Sequence, residues 1–208
     1  DVFENIAAQL LSRMQEDLVP DNVKIIVTEP SEAIVTLAYV SLFLGIILAM
    51  PVILYELERF VAPGLKAGER KLIVRISVPA ALLFALGSAF AYYLVIPYAI
   101  DFLYSYVEPL AAEAFLTLGS FIGFALLFVL AFGLSFQLPL IMIGLDTLGV
   151  VDPSFWRENL SYAVIAMLVF GAVITPDGSG ITMFMVAAPL ILLYLLGYAV
   201  IRRRKGED

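Results

Sequence analysis

Histidine and cysteine are absent from the 208-residue chain, and it has a single tryptophan. Without them there is no imidazole or thiolate zinc site, no Ser/His or Cys/His nucleophile pair, no iron–sulfur cluster and no disulfide. No G-x-x-x-x-G-K-[ST] phosphate loop occurs, which argues against intrinsic ATP or GTP hydrolysis. Charge is scarce as well, at 15% of residues, against about 25% in an average soluble domain. Apolar residues make up 62%, above the roughly 45–50% of soluble domains, and this points to a membrane protein. The net charge of −7 gives an acidic surface unsuited to nucleic acid.

Five charge-free stretches read as membrane-spanning helices: Ile34 to Leu54, Ile76 to Ile96, Thr117 to Leu145, Asn159 to Thr175 and Thr182 to Ile201. A span needs about 20 apolar helical residues to cross roughly 30 Å of hydrocarbon. The expected fold is an all-α, polytopic membrane helix bundle over residues 34–201, with no second soluble domain. The third stretch is longer than a bilayer requires and contains Pro139, which predicts a kink or tilt with residues 117–141 in the hydrocarbon. The fourth, with 17 residues, is barely long enough. Pro51, Pro79, Pro97 and Pro189 suggest further kinked, rigid helices.

Ten of the twelve Lys and Arg residues fall on one side of this topology: five between Tyr55 and Arg75, then Arg157, Arg202, Arg203, Arg204 and Lys205. The positive-inside rule makes that side cytoplasmic, including the basic tail 202–208. Split by side, the charge is −9 outside and +2 inside. An odd number of spans then places the N-terminus outside, so a removed signal peptide or, preferably, a further transmembrane helix is expected upstream of Asp1. Residues 1–33 read as an external amphipathic helix followed by a short extended piece, Val23 to Thr28. Phe3, Ile6, Leu10, Met14 and Leu18 recur at helical spacing, and Pro20 ends the helix. Tyr92, Tyr93, Tyr98 and Trp156 read as interface anchors.

The connection from Pro51 to Arg70 is the most distinctive stretch. Glu56, Glu58 and Glu69 stand there, with five cations between Arg59 and Arg75 close to the membrane surface. A carboxylate in that setting suits a guanidinium, because the two planar groups pair through charge-assisted hydrogen bonds, and Phe60 supplies an apolar contact beside it. The plainer alternative is that these acids only offset neighbouring cations and cap helix ends. Gln137 lies within hydrocarbon beside Pro139, so its amide should face the bundle or a wet cavity. Its alternatives are a polar site and a single interhelical hydrogen bond of about 1 kcal/mol. Asp177 follows Thr175 and Pro176 and precedes a Gly-Ser-Gly turn, where an Asp can simply accept backbone N–H bonds. Gly119-x-x-x-Gly123 reads as a close-packing surface or a helix-dimerisation face.

The order of these motifs resembles the TatC family, the multispanning receptor subunit of the twin-arginine protein translocase. The resemblance rests on P-V-I-L-Y-x-x-x-x-F-x-A-P-G-L-x-x-x-E-R, G-S-A-F-A-Y-Y-L-V-I-P-Y-A-I-D-F-L, A-F-G-L-S-F-Q-L-P and T-P-D, and it covers nearly the whole chain from about residue 2 to 201. It implies a six-span family fold, of which this chain has five, and a site for the twin-arginine signal peptides of folded cargo. In that site Glu69 meets the arginines, Phe60 is the nearby aromatic, Pro63, Gly64 and Leu65 hold the loop's shape, and Arg70 completes the motif. The resemblance also implies a polar partner-helix site at Gln137, where Gln keeps the hydrogen bonding of the family's Glu but not its charge. It gives functional weight to the Thr175-Pro176-Asp177 turn, although Gly178 to Thr182 and Leu195 depart from the family pattern. The implied partners are TatA/TatB-type single-span subunits and further copies of the chain, in a cytoplasmic membrane, with the proton-motive force as energy source and no cofactor or enzymatic activity. The rival reading is a secondary transporter of a small solute using Gln137 and Asp177. No internal repeat is visible and no ionisable residue lies inside a span, so a coupling-ion site is hard to build.

Overall fold

A computed structural model describes residues 2–20, 23–61, 70–107, 114–175 and 180–206. They fall into two compact units, one of residues 1–49 and 88–131, the other of residues 50–87 and 132–208.

In the first unit, α1 (Val2–Leu18) is the expected amphipathic helix. Its buried seam is Ala7, Met14 and Leu18, whereas Ile6, expected on the apolar stripe, is 47% exposed. α1 packs on α4 (Ile96–Tyr104), and the Tyr92 hydroxyl donates to Asp17 Oδ2 at 2.8 Å. The extended piece after Pro20 is a strand, β1 (Val23–Ile26). It pairs in parallel with β2 (Ala114–Thr117), from Val23 opposite Ala114 to Ile26 opposite Thr117. The sequence reading had no partner strand there, because Phe115, Leu116 and Thr117 merge into the following apolar run.

α2 (Glu32–Val61) and α3 (Arg70–Phe90) both outrun their charge-free stretches and carry Pro51 and Pro79 inside them. Within the first unit α2 buries Thr36 and Val40, one turn apart on a single face. After α3 a π-helical turn, Ala91–Val95, leads into α4, with the Ile96 N–H donating five residues back to Ala91. Pro97 explains it: the ring would collide with the carbonyl four residues earlier and has no N–H to offer, and a π turn absorbs the mismatch.

The third stretch is not one kinked helix. α5 (Leu118–Ser135) stops, Phe136 and Gln137 form a turn, and α6 (Leu138–Thr147) restarts with Pro139 in its first turn, where a missing N–H costs least. α6 ends at Gly149, whose φ of +67° suits glycine. The Gly149 N–H donates to Asp146 and the Val150 N–H to Leu145, the paired bonds of a Schellman stop.

The second unit is built on α9 (Gly180–Lys205), against which α6, α7 (Pro153–Glu158) and α8 (Leu160–Ile174) pack. Close approach needs small residues here: a Cβ on Gly171 would lie 2.6 Å from the Met183 carbonyl oxygen, and one on Gly197 would lie 3.2 Å from Pro139 Cα. α8 has 15 residues and so is about 22 Å long, short of the hydrocarbon thickness. Among the described residues, four segments are long and apolar enough to cross a membrane: 32–56, 77–104, 118–147 and 180–204.

Candidate functional site

Of the sequence-derived site residues, Pro63, Gly64, Leu65, Glu69, Pro176 and Asp177 lie outside the described residues. Phe60 falls in the last turn of α2 and Arg70 opens α3, so residues 62–69 are bracketed by the ends of two helices. α2 continues past its apolar run into the connection that follows, because water tolerates a helix that hydrocarbon demands.

Gln137 is buried and sits at the break between α5 and α6. Its Nε2 donates to the Ala80 carbonyl of α3 at 3.0 Å and to the Gly133 carbonyl at 3.4 Å. The main chain holds it from both sides, its N–H donating to Leu134 and its C=O accepting from Ile141. Two helical turns further along α3, Gly87 lies against the same break. A Cβ there would stand 2.6 Å from the Phe132 carbonyl oxygen and 2.9 Å from Phe136 Cβ. The amide therefore makes the interhelical hydrogen bond that burial demands, across a contact as close as two backbones allow.

Thr175 is also buried, closing α8 with both its N–H and its hydroxyl on the Gly171 carbonyl, at 3.0 and 2.9 Å. Its extended backbone (φ −81°, ψ 127°) is what a residue before proline adopts.

Sequence reading missed Glu32. Its Oε2 accepts from the Thr28 N–H at 2.7 Å and the Thr28 hydroxyl at 2.9 Å, while Oε1 accepts from the Gly119 N–H at 2.8 Å. One carboxylate thus ties the first residue of α2 back to Thr28, in the segment that leads into it, and meets the positive N-terminal end of α5, 87 residues away. The available signal is an acid at a helix start; Gly119 reads from sequence as part of a packing or helix-dimerisation face, not as a donor. Trp156, expected at the interface, turns inward. It is 9% exposed and packs edge-on to Tyr194, whose hydroxyl donates to the Trp156 carbonyl at 2.6 Å.

Long apolar helices, a broken span pinned by a buried amide and close glycine crossings define a multi-pass helical membrane protein. The chain belongs to the TatC family: the model for the Sec-independent protein translocase protein (TatC) matches residues 2–189. It is 44% identical to the Sec-independent protein translocase protein TatC of Cenarchaeum symbiosum, a match covering 100% of this chain and 79% of that protein. It is 35% identical to TatC of Aquifex aeolicus, over 98% of this chain and 84% of that one. A crystal structure of the twin arginine translocase receptor TatC in DDM superimposes with a TM-score of 0.84 at 32% identity, covering 96% of this chain and 91% of that chain. This chain is accordingly a transport subunit of the twin-arginine translocase, working in a complex with other Tat components.

Proposed function

We propose that this subunit is the receptor and scaffold of the translocase, binding twin-arginine signal peptides of folded cargo between the end of α2 and the start of α3. Glu69 pairs with the guanidinium groups, Phe60 gives the apolar contact, Pro63, Gly64 and Leu65 shape the loop, and Arg70 completes the motif. The observation that supports this most is the match of a family model across the whole Pro51-to-Arg70 stretch. A carboxylate among five cations then favours a planar, doubly hydrogen-bonding cation over a point charge. Ten of twelve Lys and Arg on one side make that face cytoplasmic, with the C-terminus inside and the first residue of this chain outside. The family resemblance puts a partner-helix site for TatA/TatB-type single-span subunits at the span break that Gln137 pins, and gives functional weight to the external Thr175-Pro176-Asp177 turn, in a homo-oligomeric assembly of the cytoplasmic membrane driven by the proton-motive force.

The test is site-specific photocrosslinking at positions 60–70 to a twin-arginine signal peptide, with Glu69→Ala beside the parent. Losing a charge-assisted pair costs about 1.5–3 kcal/mol, so binding should weaken roughly 10- to 100-fold while helix content is unchanged. Crosslinks indifferent to replacement of the two arginines by lysines would overturn the reading.

A further inference from the structure

Pro79 lies inside α3 and divides it. Its ring crowds the Arg75 carbonyl and offers that oxygen no N–H, so the direction of the leading arm, Arg70 to Val78, is set less firmly than in an uninterrupted helix. The very next residue is the one that Gln137 grips: Ala80 is buried, and its carbonyl accepts the Gln137 amide at 3.0 Å. Gln137 is itself held by its own main chain, which bonds to Leu134 on one side of the break between α5 and α6 and to Ile141 on the other. The amide therefore ties α3, beside its proline, to the restart of the broken span within the second unit. From Ala80 the helix runs ten residues back to Arg70, about 15 Å at 1.5 Å per residue. At that radius a change of about 10° at Pro79 would carry the backbone of Arg70 by roughly 2–3 Å.

We infer that Gln137 is a positioning residue for signal-peptide binding: by holding α3 just past Pro79 it aims Arg70, and the connection that ends there, at the guanidinium groups. The inference rests on the reading that twin-arginine signal peptides bind at the start of α3. Gln137 acts there through α3 and touches no part of the peptide. Paired hydrogen bonds between planar groups tolerate misplacement of only about 0.5 Å, far less than the swing that a small change of kink allows. A bond serving packing alone could fall at any turn of α3; this one falls beside the helix's single proline, where holding the main chain has most effect on the arm.

The full chain in mild detergent, free of partner subunits, is titrated with a twin-arginine signal peptide and with its twin-lysine counterpart. Gln137→Met keeps the length of the side chain and removes the donor. It should bind the twin-arginine peptide roughly three- to tenfold more weakly, a population shift within reach of one interhelical hydrogen bond, with helix content kept. Discrimination against the twin-lysine peptide should narrow as well, because a point charge asks less of the geometry than a planar fork. Gly87→Ala, which stretches the same bond, gives the same comparison if Gln137→Met does not fold. The chain has no cysteine, so spin labels on Val74→Cys and Leu195→Cys report the arm alone, and their distance distribution should broaden or move when Gln137→Met is added. Undiminished affinity and discrimination in the variant, or an unmoved distance distribution, would overturn the inference. A parent chain that binds both peptides equally would instead refute the signal-peptide site on which it rests.

Discussion

Gly87→Ala tests the contact between α3 and the break in the third span. Adding one methyl puts a carbon 2.6 Å from the Phe132 carbonyl oxygen and 2.7 Å from Phe136 Cγ. Carbon contacts are comfortable at about 3.5 Å, so α3 must retreat by up to roughly 0.9 Å. The nearest obstacle, the Phe132 carbonyl, is main chain, which cannot swing aside as the Phe136 ring can. Ala80 lies on the same face of α3, two turns away, so the retreat stretches its 3.0 Å bond to Gln137 towards the limit of about 3.5 Å. Overpacking costs about 1–3 kcal/mol, and the better helix propensity of alanine returns up to about 1. Loss of the interhelical bond adds about 0.6–1 kcal/mol, giving a net destabilisation of about 1–3 kcal/mol. Gln137→Leu alone should cost about 1 kcal/mol, and almost nothing once Gly87→Ala is present, because the bond is then already broken. Equilibrium unfolding in mild detergent, run as a double-mutant cycle, measures all three. Additivity of the two costs, or a Gly87→Ala protein as stable as its parent, would refute the mechanical link between the glycine contact and the amide.

Glu32→Ala should release the first turn of α5, read as faster amide exchange at Gly119 and Ser120 and a lower melting temperature; unchanged exchange there would contradict a cross-element cap. Gly171→Leu drives a side chain into the Met183 carbonyl, 2.6 Å from a built Cβ, and should separate α8 from α9. Protease sensitivity between residues 174 and 180 should rise, and a resistant variant would show that the hairpin tolerates a wider crossing.

The helical membrane bundle was legible because hydrocarbon imposes its thickness on the sequence: runs free of charge mark where the chain crosses. They do not mark where helices end. α2 continues through Glu56 and Glu58 to Val61, and the path containing Asp101 stays helical to Tyr104, since intrahelical hydrogen bonds are as available in water as in lipid. Proline was informative about location but not about form. Pro51 and Pro79 sit inside unbroken helices, Pro97 follows a π turn, and Pro139 follows a complete interruption two residues earlier. Which of these a proline produces depends on what packs beside it, and at Pro139 that neighbour is α9, where a Cβ on Gly197 would lie 3.2 Å from the Pro139 Cα.

The polar contacts whose partners are not legible in the sequence share one feature. Glu32 meets the Gly119 N–H, Gln137 the Ala80 carbonyl, and Tyr194 the Trp156 carbonyl: in each, a side chain bonds to main chain far off in sequence. A backbone donor or acceptor has no letter of its own, so a search for complementary side chains passes over it. In a chain with so few charges this is the expected outcome, because a buried polar side chain finds main-chain groups far more often than another polar side chain. Such a bond also depends on how close the backbones come, and therefore on glycine. Gly87 lets α3 approach Phe132, and Gly119 leaves its own N–H open to Glu32. The glycines and the lone polar residues are thus two halves of one device, and substituting either half should disable the other.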